Sequence, residues 1–118
     1  MKVKEFLARV RAGERVSFQD TMAAIEESYI YTPARFTNGV GTTRLVNEAG
    51  TNEGSCRIFA FAKANRLSPE HTLALFGDYY WQDVLGNPDG SDHGNIRTFM
   101  KHGWPGIAFD SDPLKWRE

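Results

Sequence analysis

The sequence predicts an α+β fold: a mainly helical single domain spanning 1–118. About five helices are expected, with a short strand or hairpin element and a short C-terminal strand. Three observations predict it. Val3, Phe6, Leu7 and Val10 recur at the helical period. Short β-branched and aromatic runs, Arg35-Phe36-Thr37 and Thr42 to Val46, flank Asn38-Gly39 and Gly41, the pattern of a hairpin. Ser68-Pro69-Glu70 combines a capping hydroxyl, a proline at the first helical position and an early acid.

The elements follow in order. The first helix keeps Lys2, Lys4, Arg9 and Arg11 on its wet side and stops at Gly13. Ser17 caps the second, with Asp20 in its first turn and Phe18, Met22, Ile25 and Tyr29 as its apolar stripe. Pro33 ends it by forcing Thr32 towards extended geometry. After the hairpin, Gly50-Thr51-Asn52-Glu53 turns into a helix through Cys56 to about Asn65, apolar over most of its circumference and therefore central. The helix opened by Ser68 places Leu73, Phe76, Tyr80 and Val84 on one face and ends near Gly86-Asn87-Pro88. Asp92 caps a last helix with Ile96, Phe99 and Met100 inward and Gly103 as its stop. Ile107-Ala108-Phe109 reads as the strand, and the polar tail is anchored by Leu114 and Trp116.

Composition excludes several function classes. Of 118 residues, 14 are Lys or Arg and 15 are Asp or Glu, so the net charge is −1. Such a chain lacks the basic field of a nucleic-acid binder or a polybasic membrane patch, and no apolar run approaches the length of a membrane span. No cofactor fingerprint is present, neither Walker loop nor dinucleotide motif, so no cofactor is expected. A single cysteine, Cys56, rules out an internal disulfide and a Cys-rich zinc site. It fits a reducing compartment, or secretion that does not depend on oxidation, and no cleavable signal is visible at the charged N-terminus.

The candidate chemistry lies in two polar turns. Asn47 to Ser55 holds Asn47, Glu48, Asn52 and Glu53, and Gly86 to Gly94 holds Asp92 and His93, followed by Asn95. Paired carboxylates such as Glu48 with Glu53 or Asp92 supply general acid and base in glycoside hydrolysis, whereas Asn, Thr and Glu at these positions also serve as turn and cap residues. Cys56 near a helix start is read as a buried small residue. The nucleophile alternative would use His93 as base, oriented by Asn52 or Asn95. His93 and His102 stand half a turn out of phase and cannot face one ion from a single straight helix; either could join Asp89 or Asp92 in a folded site, but solvated or capping roles outweigh that, so no metal is expected. Trp81 and Trp104 are stacking candidates for a sugar or partner, with Tyr79 and Tyr80 crowding the same stretch.

Asn47-Glu48-Ala49-Gly50, Asn52-Glu53-Gly54-Ser55-Cys56 and Phe59-Ala60-Phe61-Ala62 closely resemble the HopJ (HopPmaJ) type III effector family. So do Phe76-Gly77, Tyr79-Tyr80, Asp83-Val84-Leu85, Asn87-Pro88, Asp92-His93, Asn95-Ile96-Arg97, Phe99-Met100 and Gly103-Trp104. The resemblance is strongest from Leu45 to Phe109. It implies a small bacterial protein of virulence type, held in the bacterial cytoplasm and secreted by a type III system into host cells. It implies no reaction. The expected function is a non-enzymatic binding domain for a host or bacterial protein, its surface built from the two polar turns and Trp104. The alternatives are a small glycan-directed hydrolase and a carbohydrate-binding module.

Overall fold

In the computed structural model, which describes residues 2–117, five α-helices and two small antiparallel sheets enclose one aromatic core. Helix α1 (Val3–Arg11) buries Val3, Phe6, Leu7 and Val10, as the periodicity requires. Helix α2 (Phe18–Ser28) opens on a reciprocal capping box: the Ser17 hydroxyl accepts from the Asp20 amide at 3.0 Å, and the Asp20 carboxylate accepts from the Ser17 amide at 3.2 Å. Helix α3 (Glu53–Ala64) runs through the centre, burying Cys56 and the whole run Ile58–Ala62. Its Phe59, fully buried, meets Phe36, Phe76 and Phe99 at ring-centroid distances of 6.0, 5.6 and 5.0 Å. Three separate elements are therefore fastened to one side chain.

The hairpin forms. Strands β2 (Phe36–Asn38) and β3 (Leu45–Asn47) pair antiparallel, with Phe36 opposite Asn47. The second strand is shorter than the Thr42 to Val46 expectation, because Gly41–Thr43 coils into a 3-10 turn. Strand β4 (Ala108–Phe109) adds to the other side of β2, giving the order β3-β2-β4.

Five local readings are corrected. Helix α2 stops at Ser28, and Tyr29 belongs to β1 (Tyr29–Tyr31), not to the helical stripe. The tail supplies its partner, β5 (Leu114–Trp116), with Tyr29 opposite Trp116. Leu114 does anchor the tail. Trp116 is 59% exposed and meets the Tyr29 ring edge-on. The single helix expected after Ser68 breaks into α4 (Pro69–Ala74) and a π-helical turn (Tyr79–Val84). Gly77 causes the break. Its φ is +62°, and a Cβ there would stand 2.7 Å from the Phe18 amide nitrogen, so the chain turns to let the start of α2 approach. Asp92 does not cap α5 (Gly94–His102): His93 occupies that position in left-handed geometry, and Asp92 turns to Arg97 instead. Met100 faces outward, 44% exposed, while Ile96 and Phe99 fill the core.

Gly77→Ala combines left-handed strain with a backbone clash and should cost about 2–4 kcal/mol. Gly13→Ala, also at positive φ but with no atom within 4 Å of the added carbon, should cost only about 1 kcal/mol. Urea denaturation of the two variants checks the difference.

Candidate functional site

The two polar turns, remote in sequence, meet through asparagine side chains. Asn95 Nδ2 donates to Asn47 Oδ1 at 2.8 Å, and Asn47 Nδ2 returns a bond to Asn95 Oδ1 at 3.1 Å. Asn38 Nδ2 donates to the carbonyl and side-chain oxygens of Asn95 at 2.9 and 3.1 Å. Asn52 Nδ2 donates to Asn47 Oδ1 at 2.8 Å. Asn38, Asn47 and Asn95 are buried, so each amide needs these partners, and the network locks the end of β3 to the first turns of α3 and α5.

The helix starts share a second property. Asn52 and His93 are both N-caps in the left-handed region, with φ of 49° and 53°, and neither side chain caps its own helix. Asn52 is committed to Asn47, and His93 Nε2 lies 2.9 Å from Asp83 Oδ2. The first-turn amides of α3 and α5 therefore keep their donor capacity and the positive end of each helix dipole. A cavity of about 220 Å³ opens between these starts. Phe18, Phe76 and Tyr79 give it an aromatic wall, and Asn52, Ser55 and His93 give it polar groups. Gly54 belongs to this wall, because a Cβ there would meet the Phe18 ring at 2.7 Å.

The remaining sequence candidates disperse. Glu48 pairs with Arg35 at 3.5 Å, Glu53 accepts from the Tyr31 hydroxyl at 3.2 Å, and Asp92 binds Arg97 at 2.6 Å. None of these carboxylates lines the cavity. The Arg97 guanidinium holds the Asp92 carboxyl below its ordinary range. Trp104 is not brought to the turns. It packs edge-on against Phe99, and its indole donates to the Leu67 carbonyl at 3.0 Å. Trp81 has Arg15 stacked 4.4 Å over its ring. Cys56 is 1% exposed, with its thiol directed at the Ala34 carbonyl at 3.6 Å, and burial raises its pKa. Burial also raises the Tyr31 phenol beside it. That environment suits a packed thiol and not a nucleophile.

Of the cavity and its rim, Tyr79 lies in the aromatic stretch that the sequence offers for stacking, whereas Phe18, Phe76 and Asp83 carry no site signal in the sequence. Phe18 and Phe76 carry only core periodicity, and Asp83 lies in what reads as an ordinary helix. Among the described residues, Asp83, Asp92 and His93 form a cluster whose ligand atoms all lie within 4.8 Å of one another. No helix among the described residues is long and apolar enough to cross a membrane.

A family model described as HopJ type III effector protein matches residues 3–114. The crystal structure of the unknown-function protein VPA0580 is similar, at 46% identity and a TM-score of 0.93, over 99% of this chain and 95% of that one. No curated protein matches the sequence.

Asn95→Ala should cost about 2–4 kcal/mol by stranding buried amides, whereas Asn52→Ala, at an exposed position, should cost under about 1 kcal/mol. Thermal denaturation checks both. Iodoacetamide at pH 8 should leave native Cys56 unlabelled while labelling the urea-unfolded chain. The unfolded thiol loses its proton first as pH rises above about 8.5, so the wild type should lose stability from there upward, and Cys56→Ala should remove that contribution.

Proposed function

Because the chain belongs to the HopJ type III effector family, we propose that it is an effector-type binding domain. It acts without catalysis, on a host or bacterial protein, after passage from the bacterial cytoplasm through a type III system. One observation carries this reading: two uncapped helix starts converge on one small cavity. At about 220 Å³ the cavity is smaller than most small-molecule sites and matches one side chain of a partner. Free amides and two helix dipoles favour a carboxylate or carbonyl acceptor at its polar end, and the Phe18–Phe76–Tyr79 wall favours an apolar stem. The partner is thus a protein that presents an acidic or amide side chain from a protruding segment.

The hydrolase alternative receives no support from this geometry, since Glu48, Glu53 and Asp92 each answer a different group outside the cavity. The sugar-stacking alternative is no better served: Trp81 is covered by Arg15 and Trp104 is wedged against Phe99.

Ser55→Phe should fill the cavity, and Trp104→Phe serves as a control elsewhere on the molecule. Affinity capture from host extract and bacterial lysate, followed by titration of the purified captured protein, should show about tenfold or greater loss for Ser55→Phe and none for Trp104→Phe. Equal binding by all three proteins, or chemical turnover of the bound partner, would remove the reading.

A further inference from the structure

Charge is unevenly distributed along this nearly neutral chain. From Leu67 to Ile96 there are Glu70, Asp78, Asp83, Asp89 and Asp92 but no Lys or Arg. The fold gathers two of these acids around an imidazole. Asp83 comes from the π-helical turn, Asp92 and His93 from the entry to α5. His93 Nε2 lies 2.9 Å from Asp83 Oδ2 and 3.8 Å from Asp92 Oδ2. Ligand atoms bound about 2.1 Å from a metal ion stand roughly 3.0 Å apart in cis octahedral positions and about 3.4 Å apart in a tetrahedron. The two separations from His93 bracket those edges, and all three ligand atoms lie within 4.8 Å of one another.

Surrounding groups hold two of the three ligands, Asp92 and His93, in place. Arg97 Nη2 takes Asp92 Oδ1 at 2.6 Å, and Arg97 Nε takes the Asp92 carbonyl at 2.6 Å. Its cation sits on one carboxylate oxygen and leaves Oδ2 towards His93, as an outer partner orients a ligand. The His93 ring is braced against Tyr79 at a centroid distance of 5.2 Å. Asp83 and Asp92 are half exposed, so the ion has an open path and water can complete its shell. One imidazole with two carboxylates selects borderline transition metals over calcium and magnesium, which prefer all-oxygen shells.

We propose that Asp83, Asp92 and His93 bind a divalent transition-metal ion, with Zn²⁺ as the reference case. The ion displaces the hydrogen bond between His93 and Asp83 and bridges the π-helical turn to the start of α5. This goes beyond the partner-binding reading and does not depend on it.

Calorimetric titration of the whole protein with zinc chloride should give one saturable site per chain. Asp83→Asn and His93→Gln should each weaken it by about tenfold or more, while the double variant His71→Ala/His102→Ala should bind as the wild type does. Mn²⁺ added to the labelled wild type should broaden NMR signals of Asp83, Asp92 and His93 first, a readout that survives if a variant misfolds. Absence of saturable binding, binding indifferent to both substitutions, loss in the His71/His102 variant, or broadening centred elsewhere would each overturn the assignment. Any of these would leave the capture experiment with Ser55→Phe unaffected.

Discussion

Asn47 and Asn95 exchange two amide hydrogen bonds across 48 residues of chain. Almost every feature of the polar face depends on that exchange. Asn47 closes a strand, Asn95 opens a helix, and both are buried, so neither can turn to water for a substitute partner. The pair also holds the Asn52 side chain away from its own helix, because Asn52 Nδ2 donates to Asn47 Oδ1 and Asn52 makes no cap hydrogen bond to α3. The amides of that helix start remain free for this reason. Being uncharged, the network holds its geometry across the pH range in which nearby carboxylates and imidazoles change state.

The network orients elements that the apolar core has already brought together. Phe59 touches rings from the hairpin, from the turn after α4 and from α5. Those contacts bring the three elements to one place but say little about rotation around the contact, since aromatic pairs tolerate a range of tilts. Directional amide bonds supply the missing restriction. Core and network thus act on different degrees of freedom, one on distance and the other on register.

Much of this was legible in the residues. The spacing of Val3, Phe6, Leu7 and Val10, the capping pair Ser17 and Asp20, and the apolar girth of 56–62 each express a local rule, and each formed as read. The failures lie where a distant partner overrides a local preference. Tyr29–Tyr31 is helical by pattern but extended because Leu114–Trp116 pairs with it. The break at Gly77 answers the backbone of Phe18, which no window around residue 77 contains. Asp92 has the right chemistry for a cap, but Arg97 takes its carboxylate and the His93 backbone takes the cap position. The site shows the same division. Clustered asparagines marked the two turns, yet only the fold reveals that Asn47 and Asn95 lie inside it, that Asp83 joins His93, and that Trp104 belongs elsewhere.

The pairing of β1 with β5 has a temporal consequence. A strand made of residues 29–31 waits for residues 114–116 before it has an edge to hold. During synthesis, α1 and α2 emerge long before that closing ladder exists, and the last strand is joined to the body by a short ribbon with an exposed tryptophan. Tightening therefore waits on residues 114–116, and loosening under a pulling force would start from the same ribbon.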